Sequence, residues 1–285
     1  MSIRRESSVW PALAGLALLS SVPAAFGQFA TQVVRYQPGT GYATEFGTGL
    51  GYTLADAALG EPSRSTPGDF GGPVDPFAPP YLREQIVSIG QGGVLDVRFD
   101  QPIAHDPTHP KGIDFSIFGS TGFVIVNGDY TGGGTTDGSR FGDNGATTRV
   151  SVSADGVQYY RLDPALAPRV EAGLPTDGSG DFTRAIDPAL KLSDFAGLGL
   201  PGIRGLYAGG AGGAGYDLSW ARDGSGNPVA LGAASYVRIE VVAGRAEIDG
   251  LAAVQTVPEP RSVLLALAGI GVVVGCRFPR GRRAR

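Results

Sequence analysis

His105 and His109 stand four residues apart in the segment Ile103-Ala104-His105-Asp106-Pro107-Thr108-His109-Pro110. On a helix that spacing would put both imidazoles on one face, as some zinc sites require. Pro107 and Pro110 argue against a helix there. No third imidazole exists, and the single cysteine is Cys276, close to the C-terminus. The segment therefore reads as a solvated loop, and zinc would need a distant carboxylate. The same scarcity, with no Gly-x-Ser-x-Gly elbow, speaks against a Ser-His-Asp hydrolase. Carboxylates offer more. Asp114, Asp155, Asp217 and Asp249 fall at the ends of apolar runs or in turns. Calcium collects six to eight oxygens from such carboxylates and loop carbonyls. Asp114 and Asp217 are also the pair a glycosidase could use, if they flanked a cleft about 5–10 Å apart. Tyr216 and Trp220 are candidates for a sugar-stacking platform, although strand aromatics more often belong to a core.

The elements that must hold these residues are strands. Val94 to Phe99 alternates Leu95, Val97 and Phe99 with Asp96 and Arg98, and Tyr236 to Val241 sets Val237, Ile239 and Val241 against polar neighbours. Period-two alternation with one wet face predicts antiparallel sheets. Further strands are expected at 85–89, 114–118, 123–127, 148–153, 158–162 and 247–254, with short helical pieces at 54–59 and 192–196. Asp155-Gly156 is a hairpin turn in which the glycine takes positive φ. The Gly-rich stretch from Tyr130 to Ala146 carries Asp137, Asp143 and Asn144 without the alternate-residue spacing of an EF-hand, and reads as a mobile loop. Gly209 to Gly215 lacks the following Lys-Ser/Thr of a phosphate loop.

Several phrases sharpen this picture: Ala58-Leu59-Gly60-Glu61-Pro62, Ile86-Val87-Ser88-Ile89-Gly90, Gly112-Ile113-Asp114-Phe115-Ser116-Ile117-Phe118, Val150-Ser151-Val152-Ser153-Ala154-Asp155-Gly156, Gly215-Tyr216-Asp217-Leu218-Ser219, Tyr236-Val237-Arg238-Ile239 and Ala246-Glu247-Ile248-Asp249. In this order they resemble bacterial cell-surface proteins built on a galactose-binding-like jelly roll, over roughly residues 55–254. The chain departs from the usual pattern at Phe118-Gly119-Ser120, where many such proteins carry an acidic residue and Asn, and again in its Gly-rich insertion. The resemblance implies an all-β, antiparallel sandwich and a structural calcium, with Glu247 or Asp249 of the last strand as the favoured side-chain ligand beside Asp114 and Asp217.

Both termini read as addresses. Arg4 and Arg5 precede an apolar stretch from Val9 to Val22, and Ala25 and Gly27 occupy the −3 and −1 positions of a secretory cleavage site, giving a signal helix over 1–27. At the other end Val257-Pro258-Glu259-Pro260 is followed by an apolar run from Ser262 to Cys276 and an arginine-rich end. Paired prolines hold the backbone extended, and the run is short beside the ~20 residues of a typical span. Arginines after it favour a cytoplasmic end and an exported body. Triplet, single transmembrane helix and basic end resemble the PEP-CTERM sorting signal, which implies recognition and cleavage by an exosortase-type membrane protease. The expected organisation is 1–27 signal peptide, 28–256 extracellular β-sandwich and 257–285 sorting and anchor segment, with transient anchoring in the inner membrane before release to the envelope or outer surface.

The chain holds 23 basic and 27 acidic side chains, but the terminal segments are basic, and the body from 28 to 256 keeps 15 against 25, a net charge of −10. Such a surface disfavours nucleic acid and favours cations. With no cysteine, the body can form no internal disulfide. The family resemblance implies a non-enzymatic binding or scaffolding role linked to extracellular polysaccharide. A calcium-dependent carbohydrate-binding lectin and a secreted carboxylate-dependent glycoside hydrolase are the alternatives.

Overall fold

The structure, a computed structural model, describes residues 28–45 and 47–255. The signal helix with Ala25 and Gly27, the sorting motif Val257 to Pro260 and the apolar run beyond it lie outside the described residues. Among the described residues no helix is long and apolar enough to cross a membrane.

Ten strands build two antiparallel sheets: β1 (Gln32–Gln37), β2 (Val87–Gly90), β3 (Val94–Ala104), β4 (Phe115–Gly119), β5 (Thr147–Ser153), β6 (Tyr160–Leu162), β7 (Ala214–Tyr216), β8 (Ala221–Arg222), β9 (Ala233–Ala243) and β10 (Arg245–Ala253). The larger sheet runs β1-β3-β9-β5-β6-β8 and the smaller β7-β4-β10-β2. One core lies between them. Leu95, Val97, Val152, Val237 and Ile239 reach it from the larger sheet, and Val87, Ile89, Phe115, Tyr216 and Ile248 from the smaller, each no more than 1% exposed. Burying a side chain of this size contributes about 1.5–3 kcal/mol. Across the core face, Phe115 and Tyr216 stack with ring centroids 5.1 Å apart.

The two sheets differ on their far sides. The smaller is covered there too, by the long connection between β6 and β7. Phe182 from that connection meets Phe118 edge-on at 5.1 Å, and Ala211 and Ala252 complete the contact. Phe115 to Phe118 is therefore buried on both faces, which explains its near-continuous apolar reading. The connection also carries the helix α1 (Leu200–Tyr207), whose Ile203 and Tyr207 pack against Phe123 and Phe195. The larger sheet has a polar outer face, on which Arg98, Arg161, Arg222, Arg238 and Glu240 reach water at least in part while Asp96, Ser151 and Ser153 are covered.

Two expectations need correction. Asp96, read as a wet-face residue, is only 2% exposed, because Arg238 forks across the ladder to it with both bonds at 2.7 Å and Tyr159 lies 3.7 Å over that guanidinium. The insertion read as mobile is instead built of Asx turns at Asp129, Asp137 and Asp143, pairs Arg140-Phe141 with Gly122-Phe123, and buries Thr136 completely. The hairpin turn matches its reading, with Gly156 at φ +74° and Asp155 accepting from the Val157 and Gln158 amides. At the far end of β10, the Val254 amide donates to the Asp114 carbonyl and the Gln255 amide to that of Thr183.

Candidate functional site

Asp114 precedes β4 and is fully buried. Its Oδ1 accepts from His109 Nδ1 at 2.9 Å and the Asp106 amide at 3.3 Å, and its Oδ2 from His105 Nδ1 and the Leu218 amide, both at 2.9 Å. Four N–H groups thus occupy a carboxylate with about four acceptor positions. The loop expected to be solvated is folded onto this anion, and His109 is 7% exposed. Asp217 stands beside it, its Oδ1 2.7 Å from the Ser219 amide that it caps and 3.7 Å from His105 Nδ1. The His105 nitrogen and the Asp114 and Asp217 oxygens all lie within 4.8 Å of one another. Calcium does not suit this cluster, since it would have to displace N–H donors from Asp114. Nor does Asp114, sealed from water, flank a cleft as half of a hydrolytic pair. The structure corrects both readings by making Asp114 a hydrogen-bonding hub.

Asp249 is likewise committed elsewhere than to a cation. It is 2% exposed, and its two oxygens take the Ser63 hydroxyl at 2.7 Å and the Ser63 amide at 2.9 Å. Burial pushes its carboxyl up to about 7, the Ser63 bonds opposing.

Glu247 suits a cation better. Its Oε2 accepts from Ser120 Oγ at 2.6 Å, and Asn144 Nδ2 bridges its Oε1 at 3.5 Å and Glu171 Oε1 at 3.3 Å. Glu171 also accepts from the Asn144 and Ala146 amides. Burial, with the Glu247 charge adding to it, raises the Glu171 carboxyl. Both glutamates line a recess of about 10 Å³, roughly one water or one ion. Two carboxylates and a hydroxyl around so small a space offer hard-oxygen donors, with Arg245 Nε 3.4 Å from Glu247 Oε1 at its side.

The two aromatic candidates part company. Tyr216 is 0% exposed, stacked in the core with its hydroxyl donating to the Pro168 carbonyl at 3.2 Å, and its sugar-platform reading is corrected. Trp220 is half-buried and lines an open cleft of about 350 Å³ beside the smaller sheet, together with Ile186, Leu190, Arg140, Asp187 and Lys191. The Arg140 side chain is 7% exposed. It donates to the Gly173 carbonyl at 2.6 Å and to Asp143 at 2.9 Å, while its buried Nε has no acceptor among the described residues.

No protein-family profile and no curated protein matches the chain. Among solved structures, a pectin-binding carbohydrate-binding module in a monoclinic crystal form is similar to it at 12% identity, over 81% of this chain and 96% of that one, with a TM-score of 0.27. A score that low carries no argument about function.

Sequence reasoning missed Arg140 and Glu171. The first sits in the insertion taken for a mobile loop, and the second in a connection with no periodicity to reveal it. A second aromatic surface was missed as well. Phe70, Phe77, Tyr81 and Phe141 line a recess of about 320 Å³, with Phe70 94% exposed. Pro-Gly punctuation around Phe70 could have marked it as a loop-borne ring.

The Asp249 carboxyl gives a pH test. An unfolded carboxyl titrates near 4. The higher folded value means that its contribution is intact below about pH 4 and is lost as pH rises through about 7. Asp249→Asn keeps the shape without the charge. Urea unfolding should find the variant more stable than the parent at pH 8, on the order of 2–4 kcal/mol, and not at pH 4. A difference between the two that is the same at both pH values would refute this assignment.

Proposed function

We propose that this protein is an exported, non-enzymatic component of the cell surface or extracellular matrix that binds or scaffolds polysaccharide through a galactose-binding-like jelly roll. The observation that carries the binding reading is the Trp220 cleft. An indole face offers an apolar surface to the C–H face of a sugar ring. Arg140 and Lys191 supply donors around it and Asp187 an acceptor, the mixture of apolar wall and few convergent polar groups typical of small-ligand sites. Two antiparallel sheets facing one core support the jelly-roll reading. The acidic, cysteine-free body between two address-like termini supports export.

Titration calorimetry of the purified protein against a panel of bacterial exopolysaccharide fragments tests the site. Binding is expected to weaken about tenfold or more in Trp220→Ala, an effect of roughly 1.4 kcal/mol, and to persist in Phe70→Ala. Loss in Phe70→Ala alone would move the site to the second aromatic recess. Flat titrations for every fragment, with and without calcium, would refute glycan binding altogether.

The recess at Glu247 favours the calcium-dependent form of this reading. Glu171, Glu247 and Ser120 would hold the ion, which would add positive charge between the two carboxylates to that of Arg245 beside Glu247. A ligand that binds only the native state raises its stability. Calcium should therefore raise the melting temperature of the parent and chelator lower it, whereas Glu247→Gln should respond weakly to either. A parent indifferent to both would count against the ion.

Sorting rests on the C-terminal residues. Replacing Pro258, Glu259 and Pro260 with alanine should leave unprocessed precursor in the membrane fraction, seen as a heavier band on an immunoblot. Processing at the parental rate would rule out exosortase recognition of this motif.

A further inference from the structure

On the water-facing side of the larger sheet, one cross-strand row carries more charge than strand pairing requires. Asp96 stands opposite Arg238, Arg238 opposite Ser151, Ser151 opposite Arg161 and Arg161 opposite Arg222, so β3, β9, β5, β6 and β8 each contribute one side chain to a line. The inward neighbours Leu162 and Ala221 pair with each other and enter the core, which accounts for those positions. Outward, two of the three arginines are already used. Arg238 forks onto Asp96, and Arg222 reaches Asp163 at 3.2 Å. Arg161 is exposed and makes no ion pair among the described residues. It stands directly across the ladder from Arg222, an arrangement of like charges that destabilises a sheet unless something anionic lies between them. Its five N–H donors are planar and suited to a carboxylate fork.

Ser151, Arg161, Arg222 and Arg238 of this row line a cleft of about 530 Å³ with Tyr159, Pro164, Asp223 and Glu240 on its sides. We propose that the cleft binds an acidic saccharide through a single carboxylate held by the Arg161 fork, with Arg222, itself committed to Asp163 and to the Ser219 and Ala221 carbonyls, adding only its charge from across the ladder. Ser151 and Glu240 meet the neighbouring hydroxyls, and the exposed edge of the Tyr159 pair with Arg238 borders the ring. The flanking charges narrow the ligand class. Asp163, Asp223 and Glu240 would repel a second nearby anionic group, and the body carries net charge −10. A dense polyanion such as nucleic acid or a heavily sulfated chain is therefore a poor fit. A hydroxyl-rich ring bearing one carboxylate satisfies both the unused arginine and the acids around it. The inference rests on the reading of the protein as a glycan binder, but it uses a different surface: the cleft shares no lining residue with that of Trp220.

The test is calorimetric titration of the purified protein, at physiological salt, with a glucuronic-acid tetrasaccharide, its methyl ester, a neutral glucose tetrasaccharide and inorganic phosphate. The acid is expected to bind. Esterification or Arg161→Ala should each weaken it by about tenfold or more, and Arg161→Lys, which keeps the charge but loses the fork, should recover only part. Trp220→Ala should leave this binding unchanged. Because Arg161 is exposed, its removal should leave the fold intact, with a melting temperature no lower than the parent's. Equal binding of acid and ester, indifference to Arg161, phosphate bound as tightly as the saccharide, or no binding of the acid would each overturn the proposal. Loss in Trp220→Ala with Arg161→Ala unaffected would place the acid in the other cleft, overturning this inference while leaving the glycan-binding function standing.

Discussion

A carboxylate sealed from water holds together a point in the molecule where four segments meet. Asp114 is tolerable in the interior because four N–H groups surround it, from His105, Asp106, His109 and Leu218. Its own backbone adds two more ties, its amide to the Tyr216 carbonyl and its carbonyl to the Val254 amide. One residue thus fixes the loop after β3, the start of β4, the turn after β7 and the end of β10. A buried charge so arranged is costly to disturb from either side: removing it would strand four donors, and removing a donor would leave part of the anion unmet. The position of Trp220, two residues beyond Leu218, follows from this knot.

Much of the fold was legible and much of the site was not, for one physical reason. Strand β9 shows its register in its own letters, because Val237, Ile239 and Val241 repeat with the period of the pleat, and β3 and β5 do the same. By contrast β1 is an edge strand with a bulge between Val33 and Arg35 and a mostly exposed pattern, which gives periodicity little to report. Helix α1 hides behind Pro201, Gly202 and Gly205. The sites depend on pairs far apart in the chain. Ser63 meets Asp249 across 186 positions and Ser120 meets Glu247 across 127, so nothing local distinguishes a carboxylate claimed by a hydroxyl from one free for a cation. Tyr216 and Trp220 are four residues apart, yet Tyr216 ends a strand and enters the core, whereas Trp220 ends a 3-10 turn over Leu218–Trp220 that leaves it at a cleft.

The two sheets have different tasks because only one has a free face. The smaller, covered on both sides, keeps even its polar residues Ser88, Ser116 and Asp249 out of water and serves as a wall against which long connections pack. Those connections bring together the Trp220 cleft and the recess of the two glutamates. The larger sheet keeps its polar side chains in ranks dictated by register, so its chemistry is organised by strand pairing rather than by loops.

The clasp at the end of β10 has a mechanical consequence. That strand lies between β4 and β2, and Val254 and Gln255, which follow it, are bonded to Asp114 and Thr183. A pull applied beyond residue 255 therefore enters an interior strand along its length, loading the ladders on both sides in shear rather than peeling them open one rung at a time. A protein tethered at that end would yield to drag only by breaking many bonds together.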